Sequence, residues 1–244
     1  MDPLTLKEIA EMAGARIVQG DPAVCVSRIS KDTRTIQPGD LYLALSGESF
    51  DGNSFASEAA KRGAAAALLD APPAPAALSA DFPVLLCDSS QAALTRLAAA
   101  WRARLSLKVL AITGSNGKTS AKEFTAAVLG TRFTVVKTEG NLNNHIGLPL
   151  SILSASTSDT AAVWEIGMNH PGEIAPLAAL ARPDAAIITN IGIAHIEYMK
   201  TREAIALEKG MLAEALPPEG FVILNADDDK TDALALRTKA RGIR

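Results

Sequence analysis

LKVLAITGSNGKTSAKE (residues 107–123) is the stretch on which the rest of the chain is read. An apolar run, LKVLAI, enters a glycine-rich turn and leaves it in a helix-like segment. The two glycines of Gly114-Ser115-Asn116-Gly117 let successive backbone N–H groups turn inward and form an anion nest. Lys118 adds a positive point charge for β- and γ-phosphates, and the Thr119 hydroxyl can join a Mg²⁺ shell. Ala121, Phe124, Thr125 and Val128 fall at core spacing, so the amino end of a helix, with its partial positive charge, starts at the loop near Ser120. The long form of the phosphate-loop pattern would place a glycine at 112, where this chain has Ile112. The competing reading is an ordinary glycine turn with a solvated lysine. The strand–loop–helix context favours phosphate.

The whole chain bounds the alternatives. It has 244 residues, 48% of them apolar and 21% charged, enough for one large or two ordinary globular domains. The formal net charge is −3 and there is no run of about five basic residues, so nucleic acid is not expected as a partner. No signal peptide is expected at MDPLTLKEIAEMAG, and no uncharged apolar run reaches the roughly 18 residues that suggest a membrane span. Cys25 and Cys87 are isolated in strand-like runs and are expected as buried thiols rather than a disulfide, in a reducing, cytoplasmic setting.

Along the chain, Thr5 and Glu8 fit a capping box and Gly14 would close that helix. VCVSRIS and LYLALS are strand-like and flank a turn at Pro38-Gly39-Asp40. Asn53 can cap a second helix ending near Gly63, and AAAALLD reads as a buried strand. The proline-rich APPAPAALSADFP follows, and the domain boundary is placed at its end, giving residues 1–83 and 84–244. VLLC, a helix from Ser90, LKVLAIT, FTVVK, AAVWEIG, AAIITNIG, a helix over 201–216 and FVILNAD then alternate. The expectation is an α/β chain: a small α+β unit followed by a mostly parallel-sheet, phosphate-loop ATPase-like domain, with ligands beyond the carboxyl ends of the strands.

Polar groups at those ends are the candidates. Glu165 closes an otherwise apolar strand beside the loop, where a Mg²⁺ ligand belongs; the alternative is a rim charge. Asn190 and His195 follow AAIIT and would face the same crevice, although a lone histidine is more often structural. His170 has a weaker claim. In the 201–216 helix, Ile205, Lys209, Leu212 and Leu216 share one face. A lysine there usually snorkels to solvent. Held in place, it would become a neutral amine able to take up carbon dioxide as a carbamate, a good Mg²⁺ ligand. GNLNNHIGLP, with Asn144, could contact sugar or phosphate oxygens or could be an ordinary turn. Asp227, Asp228 and Asp229 read as a solvated turn.

SNGKTSAKE, GNLNNHIGLPLSIL, EIGMNHPGEI and TNIGIAHIE together resemble the Mur ligases, ATP-dependent amide-bond ligases of bacterial cell-wall synthesis. That family's loop is Gly-x-x-Gly-Lys-Thr, which accounts for Ile112. The resemblance runs along essentially the whole chain. It implies that residues 114–120 hold ATP and that Lys118 is catalytic. It further implies that Thr119, Glu165 and His195 bind Mg²⁺ and that Lys209 is the carbamylated lysine. Asn144 and Asn190 would contact substrate or nucleotide. KDTRTIQPGDLYLALSGESFDG resembles the family's UDP-sugar segment, which makes Thr33, Arg34, Ser46 and Gly47 candidates there. The implied reaction converts the carboxylate of a UDP-N-acetylmuramoyl tripeptide into an acyl phosphate, which the amine of D-alanyl-D-alanine attacks. A monomer acting on small molecules is expected. Two alternatives stay open: a sister ligase adding another amino acid, and a fragment that binds nucleotide and UDP-sugar without making a bond. A third, a folate-type polyglutamate ligase, is disfavoured by the UDP-sugar-like segment. The family normally carries a third, Rossmann-like carboxyl-terminal domain, and because this chain ends at KARGIR a truncated middle domain is expected.

Overall fold

The computed structural model describes residues 1–47, 50–73 and 78–244, in two compact units, Met1–Arg104 and Leu105–Arg244. Part of the proline-rich stretch and of the LSGESF turn lies outside the described residues.

In the first unit, β1 (Leu4–Thr5) leads into α1 (Leu6–Ala13). Both hydrogen bonds of the Thr5–Glu8 capping box form, and Gly14 ends the helix in the left-handed conformation that a side chain would oppose. β2 (Arg16–Gln19), β3 (Cys25–Val26), β4 (Ile29–Ser30), β5 (Leu41–Leu43), α2 (Ala56–Lys61), β6 (Ala66–Leu69), β7 (Val84–Leu86) and α3 (Ser90–Arg104) complete it. A five-stranded sheet has the order β2-β7-β6-β5-β4, parallel except for β2; β1 and β3 form a separate antiparallel pair.

The expected boundary after residue 83 is corrected here. The strand in VLLC hydrogen-bonds to β6 and β2, so β7 is an inner strand of the first sheet and α3 packs on α1 in the same unit. Strand–helix alternation begins before the second unit does, so grammar alone misplaced the border. Asn53 is not a cap either. Asp51 accepts from the Asn53 N–H, while the Asn53 side chain bonds Asp51, Asp70 and the Ala71 N–H. Cys87 is buried as expected, but Cys25 is exposed; both are free thiols.

The second unit contains β8 (Lys108–Thr113), α4 (Lys118–Leu129), β9 (Val135–Lys137), α5 (Gly147–Ser154), β10 (Ala161–Glu165) and α6 (Ile174–Ala181). β11 (Ala185–Ile188), α7 (Ile196–Met199), α8 (Arg202–Glu214), β12 (Phe221–Leu224), α9 (Thr231–Ala235) and β13 (Arg241–Ile243) follow. Six strands in the order β13-β12-β11-β8-β10-β9 form an all-parallel sheet. β8 lies between β10 and β11, and their mostly apolar, buried sequences suit a sheet covered on both faces. Register sets the site: Glu165 pairs with Ile112 and Ile188 with Thr113, so three strands end together where the loop begins.

The expected buried face of α4 is rotated. Phe124 and Val128 are 73% and 69% exposed, whereas Lys122 and Ala126 are buried and Ala121 and Leu129 pack against Ile112 and Val163. Small residues let this helix approach the sheet, and the bulky apolar pair is left outside.

Because β7 sits between β2 and β6, residues 1–104 expressed alone should unfold cooperatively, whereas residues 1–83 should not. Circular-dichroism melts of the two fragments decide this; a sharp transition for the shorter one would contradict the assignment.

Candidate functional site

β8 delivers the loop at Thr113. Gly114 has φ 148°, and a Cβ placed there would lie 1.9 Å from Thr189 Oγ1, so only glycine fits this close approach. Gly117 (φ 78°) heads α4 and brings no side-chain acceptor to the first turn. The N–H groups of Lys118, Thr119 and Ser120 precede the first intrahelical donor, Ala121, and so face outward at the positive end of a twelve-residue helix. Lys118 Nζ donates across the loop to the Gly114 carbonyl at 2.9 Å.

The segment after β11 braces this loop. Ser115 N–H donates to Asn190 O (2.9 Å) and Asn116 N–H to Asn190 Oδ1 (3.0 Å). Asn190 Nδ2 and Thr189 Oγ1 both donate to Asn116 O, at 3.3 and 2.6 Å, and Gly192 N–H donates to Ser115 Oγ at 2.8 Å. Asn190, read from sequence as facing substrate, has both its side-chain polar atoms on loop backbone; in this structure it positions the loop.

Glu165 ends β10 and is 2% exposed. Its carboxylate accepts from Thr119 Oγ1 at 3.0 Å and from Asn143 Nδ2 at 2.7 Å, while its N–H donates to Thr138 Oγ1 at 3.0 Å. Both carboxylate oxygens are thus satisfied, as burial of a charge requires. Asn143, which sequence reading passed over, also accepts the Gly167 N–H on its carbonyl, and a Cβ at Gly167 would come within 2.8 Å of its Oδ1. Asn144, the residue chosen from sequence, caps α5 instead: its Oδ1 accepts from Ile146 and Gly147 N–H at 3.1 and 2.8 Å. Two adjacent asparagines before a helix divide these tasks, and only the capping one has a sequence signature.

α8 supplies the lysine. Thr201 caps the helix, and Ile205, Lys209, Leu212 and Leu216 are all buried, the expected stripe. Lys209 is 1% exposed and does not snorkel. Burial, followed by the charge of Lys118, pushes its amine down to about 7, against a smaller opposing pull from Glu208. Glu208 is itself buried and accepts from Gly172 and Ile174 N–H at 2.9 and 2.8 Å, tying α8 to the loop before α6. His195 heads α7 with φ 62°, a left-handed conformation that histidine adopts more readily than most side chains. Burial, then Lys209, then Lys118 hold its imidazole below the usual 6.5. The charge of Lys118 thus reaches both Lys209 and His195, and Thr119, next to Lys118 in the first turn of α4, is bonded to Glu165. Asp228 is not in a solvated turn: it accepts the Ile191 N–H at 2.6 Å and pairs with Arg202. His170 is exposed, bonded to Glu173 and tilted against Tyr198.

The donor set suits a metal–nucleotide. Hydroxyl and carboxylate oxygens are hard ligands of the kind Mg²⁺ takes, and they lie beside an uncapped helix start and a lysine, which suit phosphate.

The first unit has its own cavity of about 600 Å³, lined by Thr33, Arg34, Tyr42, Phe50, Phe55 and Arg62 among others. Asp32 caps the turn that carries Thr33 and pairs with the exposed Arg34, whose guanidinium draws the Asp32 carboxyl down to about 2. Tyr42 donates to Gly52 O at 2.8 Å, and burial lifts its phenol to about 12. Ser46 bonds Asp51, and Gly47 bridges Phe50; neither lines this cavity among the described residues.

Fold and loop define the class: a phosphate-loop α/β unit joined to a smaller α/β unit. Residues 112–244 match the family described as the Mur ligase middle domain, and residues 25–102 match the Mur ligase family catalytic domain. The chain belongs to the Mur ligase family. It is 41% identical over 241 residues to the UDP-N-acetylmuramoyl-tripeptide--D-alanyl-D-alanine ligase of Bacillus subtilis (strain 168), covering 98% of this chain and 52% of that one. A crystal structure of MurF from Acinetobacter baumannii superposes with TM-score 0.89 at 31% identity, over 100% of this chain and 53% of that one. MurF ligase from Thermotoga maritima in complex with ADP gives TM-score 0.77 at 32% identity, over 89% of this chain and 50% of that one. The chain spans about half the length of the curated relatives it matches.

Lys209 has a folded-state value of about 7 against an ordinary 10.5, so between those limits the unfolded chain holds a proton that the folded chain has released. Stability therefore rises with pH across that window. In chemical denaturation, wild type should gain stability relative to Lys209→Met between pH 7 and about pH 9. An unchanged difference between the two proteins would contradict the burial effect.

Proposed function

We propose that this chain is the acceptor-binding and ATP-binding portion of a cytoplasmic ligase that joins D-alanyl-D-alanine to a UDP-N-acetylmuramoyl tripeptide. The observation that carries the reading is the buried Glu165 carboxylate, hydrogen-bonded to Thr119 in the first turn beyond the Gly114–Lys118 loop. The relatives named as this ligase, and the related structure holding ADP, support the choice of nucleotide and substrates.

When bound, ATP with Mg²⁺ supplies the phosphoryl group that turns the tripeptide carboxylate into an acyl phosphate, with ADP released; the amine then displaces phosphate. The remaining work falls to the chain's own groups. Lys118 exchanges the Gly114 carbonyl for phosphate oxygens, and the first-turn N–H groups of α4 hold the same anion, with Ser115, Asn116 and Ser120 completing the cradle. Thr119 and Glu165 would hold Mg²⁺ through their oxygens, and Asn143 occupies the other Glu165 oxygen. His195, whose imidazole burial and then Lys209 and Lys118 hold below its usual value, would offer a ring nitrogen to the metal. Lys209 as a neutral amine adds carbon dioxide, forming an N–C bond and releasing a proton. The resulting carbamate would supply a hard oxygen ligand suited to Mg²⁺. In the first unit, the Thr33–Arg34 turn with the Phe50 and Phe55 rings suits a uridine diphosphate, with Ser46 and Gly47 shaping the adjoining turn. Asn144 and Asn190 act by shaping the α5 start and the loop. The protein acts as a monomer on small molecules.

The expected result is phosphate release by the full-length protein only when ATP, the tripeptide nucleotide and D-alanyl-D-alanine are all present. Lys118→Ala should lower the rate by about 10²-fold or more, in the range found when one charge-stabilising donor is removed. Release that ignores either substrate would reject the proposal. For Lys209, carbon-13 NMR with labelled bicarbonate should show a carbamate signal that is absent from Lys209→Ala, and short carboxylic acids should restore part of that variant's activity.

A further inference from the structure

A second lysine on α4 has no part in the reaction as proposed. Lys122 lies one turn beyond Lys118 and is 1% exposed, on a helix that turns Phe124 and Val128 to solvent. An apolar side chain of similar length would fill that space without desolvating a charge, so the ammonium calls for a reason. Its partners supply one. Nζ donates to the Thr138 carbonyl at 2.7 Å and pairs with Glu123 at 3.1 Å; Glu123 is in turn paired with Lys137, the last residue of β9.

Thr138 is fully buried immediately after β9. Its N–H donates to Val163 O at 3.1 Å, which prolongs the pairing with β10, and its Oγ1 accepts the Glu165 N–H at 3.0 Å. The helix that carries Lys118 and Thr119 therefore reaches Glu165 twice. Thr119 touches the carboxylate directly, and Lys122 grips the residue that holds the Glu165 backbone.

We propose that Lys122 is a positioning residue for the metal–nucleotide: through Thr138 it fixes the Glu165 backbone relative to the first turn of α4. The inference rests on the reading of Thr119 and Glu165 as the Mg²⁺ site. Its effect should appear in the metal-dependent part of nucleotide binding, because Lys122 Nζ is engaged with the Thr138 carbonyl and Glu123 rather than with the phosphate loop.

The test is calorimetric titration of the 244-residue chain with ADP, with and without Mg²⁺, alongside thermal melts. Lys122→Met should melt near wild type and bind ADP as wild type does without Mg²⁺, yet lose about tenfold in apparent Mg²⁺ affinity, as outer-shell changes at metal sites do. Lys122→Arg should recover part of the loss. Thr138→Val keeps the carbonyl but removes the hydroxyl, and it should reproduce the loss, with Thr138→Ser close to wild type. If Lys122→Met does not fold, the Thr138 pair decides alone. Equal weakening with and without Mg²⁺, or an unaltered Mg²⁺ affinity in Lys122→Met or Thr138→Val, overturns the inference while leaving the Mg²⁺ site standing. A wild-type chain whose ADP binding ignores Mg²⁺ overturns both.

Discussion

A carboxylate removed from water must find donors for both oxygens, and Glu165 finds them in two separate segments. Thr119 belongs to the first turn of α4 and Asn143 to the loop before α5, and each donates to a different oxygen. The end of β10, the start of α4 and the 140–146 loop therefore meet at one side chain. An isolated buried charge is expensive, so these segments keep their places together. The pairing of Glu165 with Ile112 then fixes how far this junction stands from the phosphate loop.

The loop itself is held by backbone and not by bulk. Thr189, Asn190 and Gly192 bond its backbone and the Ser115 hydroxyl, and Gly114 lets the two strand ends approach more closely than any side chain would allow. A loop already in its curved form loses little further freedom when it takes up a ligand. Around it, burial and then the charge of Lys118 lower the Lys209 amine, and burial, then Lys209 and Lys118, lower the His195 imidazole.

Much of this was legible in the sequence because strong local rules govern it. The apolar run into Gly-x-x-Gly-Lys-Thr, the capping box at Thr5 and the buried stripe through Lys209 follow from periodicity and turn chemistry. What escaped depended on partners distant in the chain. VLLC is as good a strand for one sheet as for the other, and only its pairing with β6 and β2 assigns it. The face of α4 was misread because Phe124 and Val128 have core spacing, yet Ala121, Ala126 and Leu129 are the residues that pack against Ile112 and Val163. Asn143 and Asn144 are chemically identical neighbours, separated only by the 22-residue reach of the former to Glu165. Asp228 looked like a surface acid until the Ile191 amide, 37 residues away, was placed against it.

An all-parallel sheet also sorts the chain by polarity of direction. Every connection that carries chemistry leaves the carboxyl edge, and the returning connections, such as 155–160 and 182–184, arrive at the opposite rim. There Asp184 clips Lys108 and the Val109 amide, so that rim is a hem and not a workplace. Insertions and deletions in the hem would leave the groups at the mouth undisturbed.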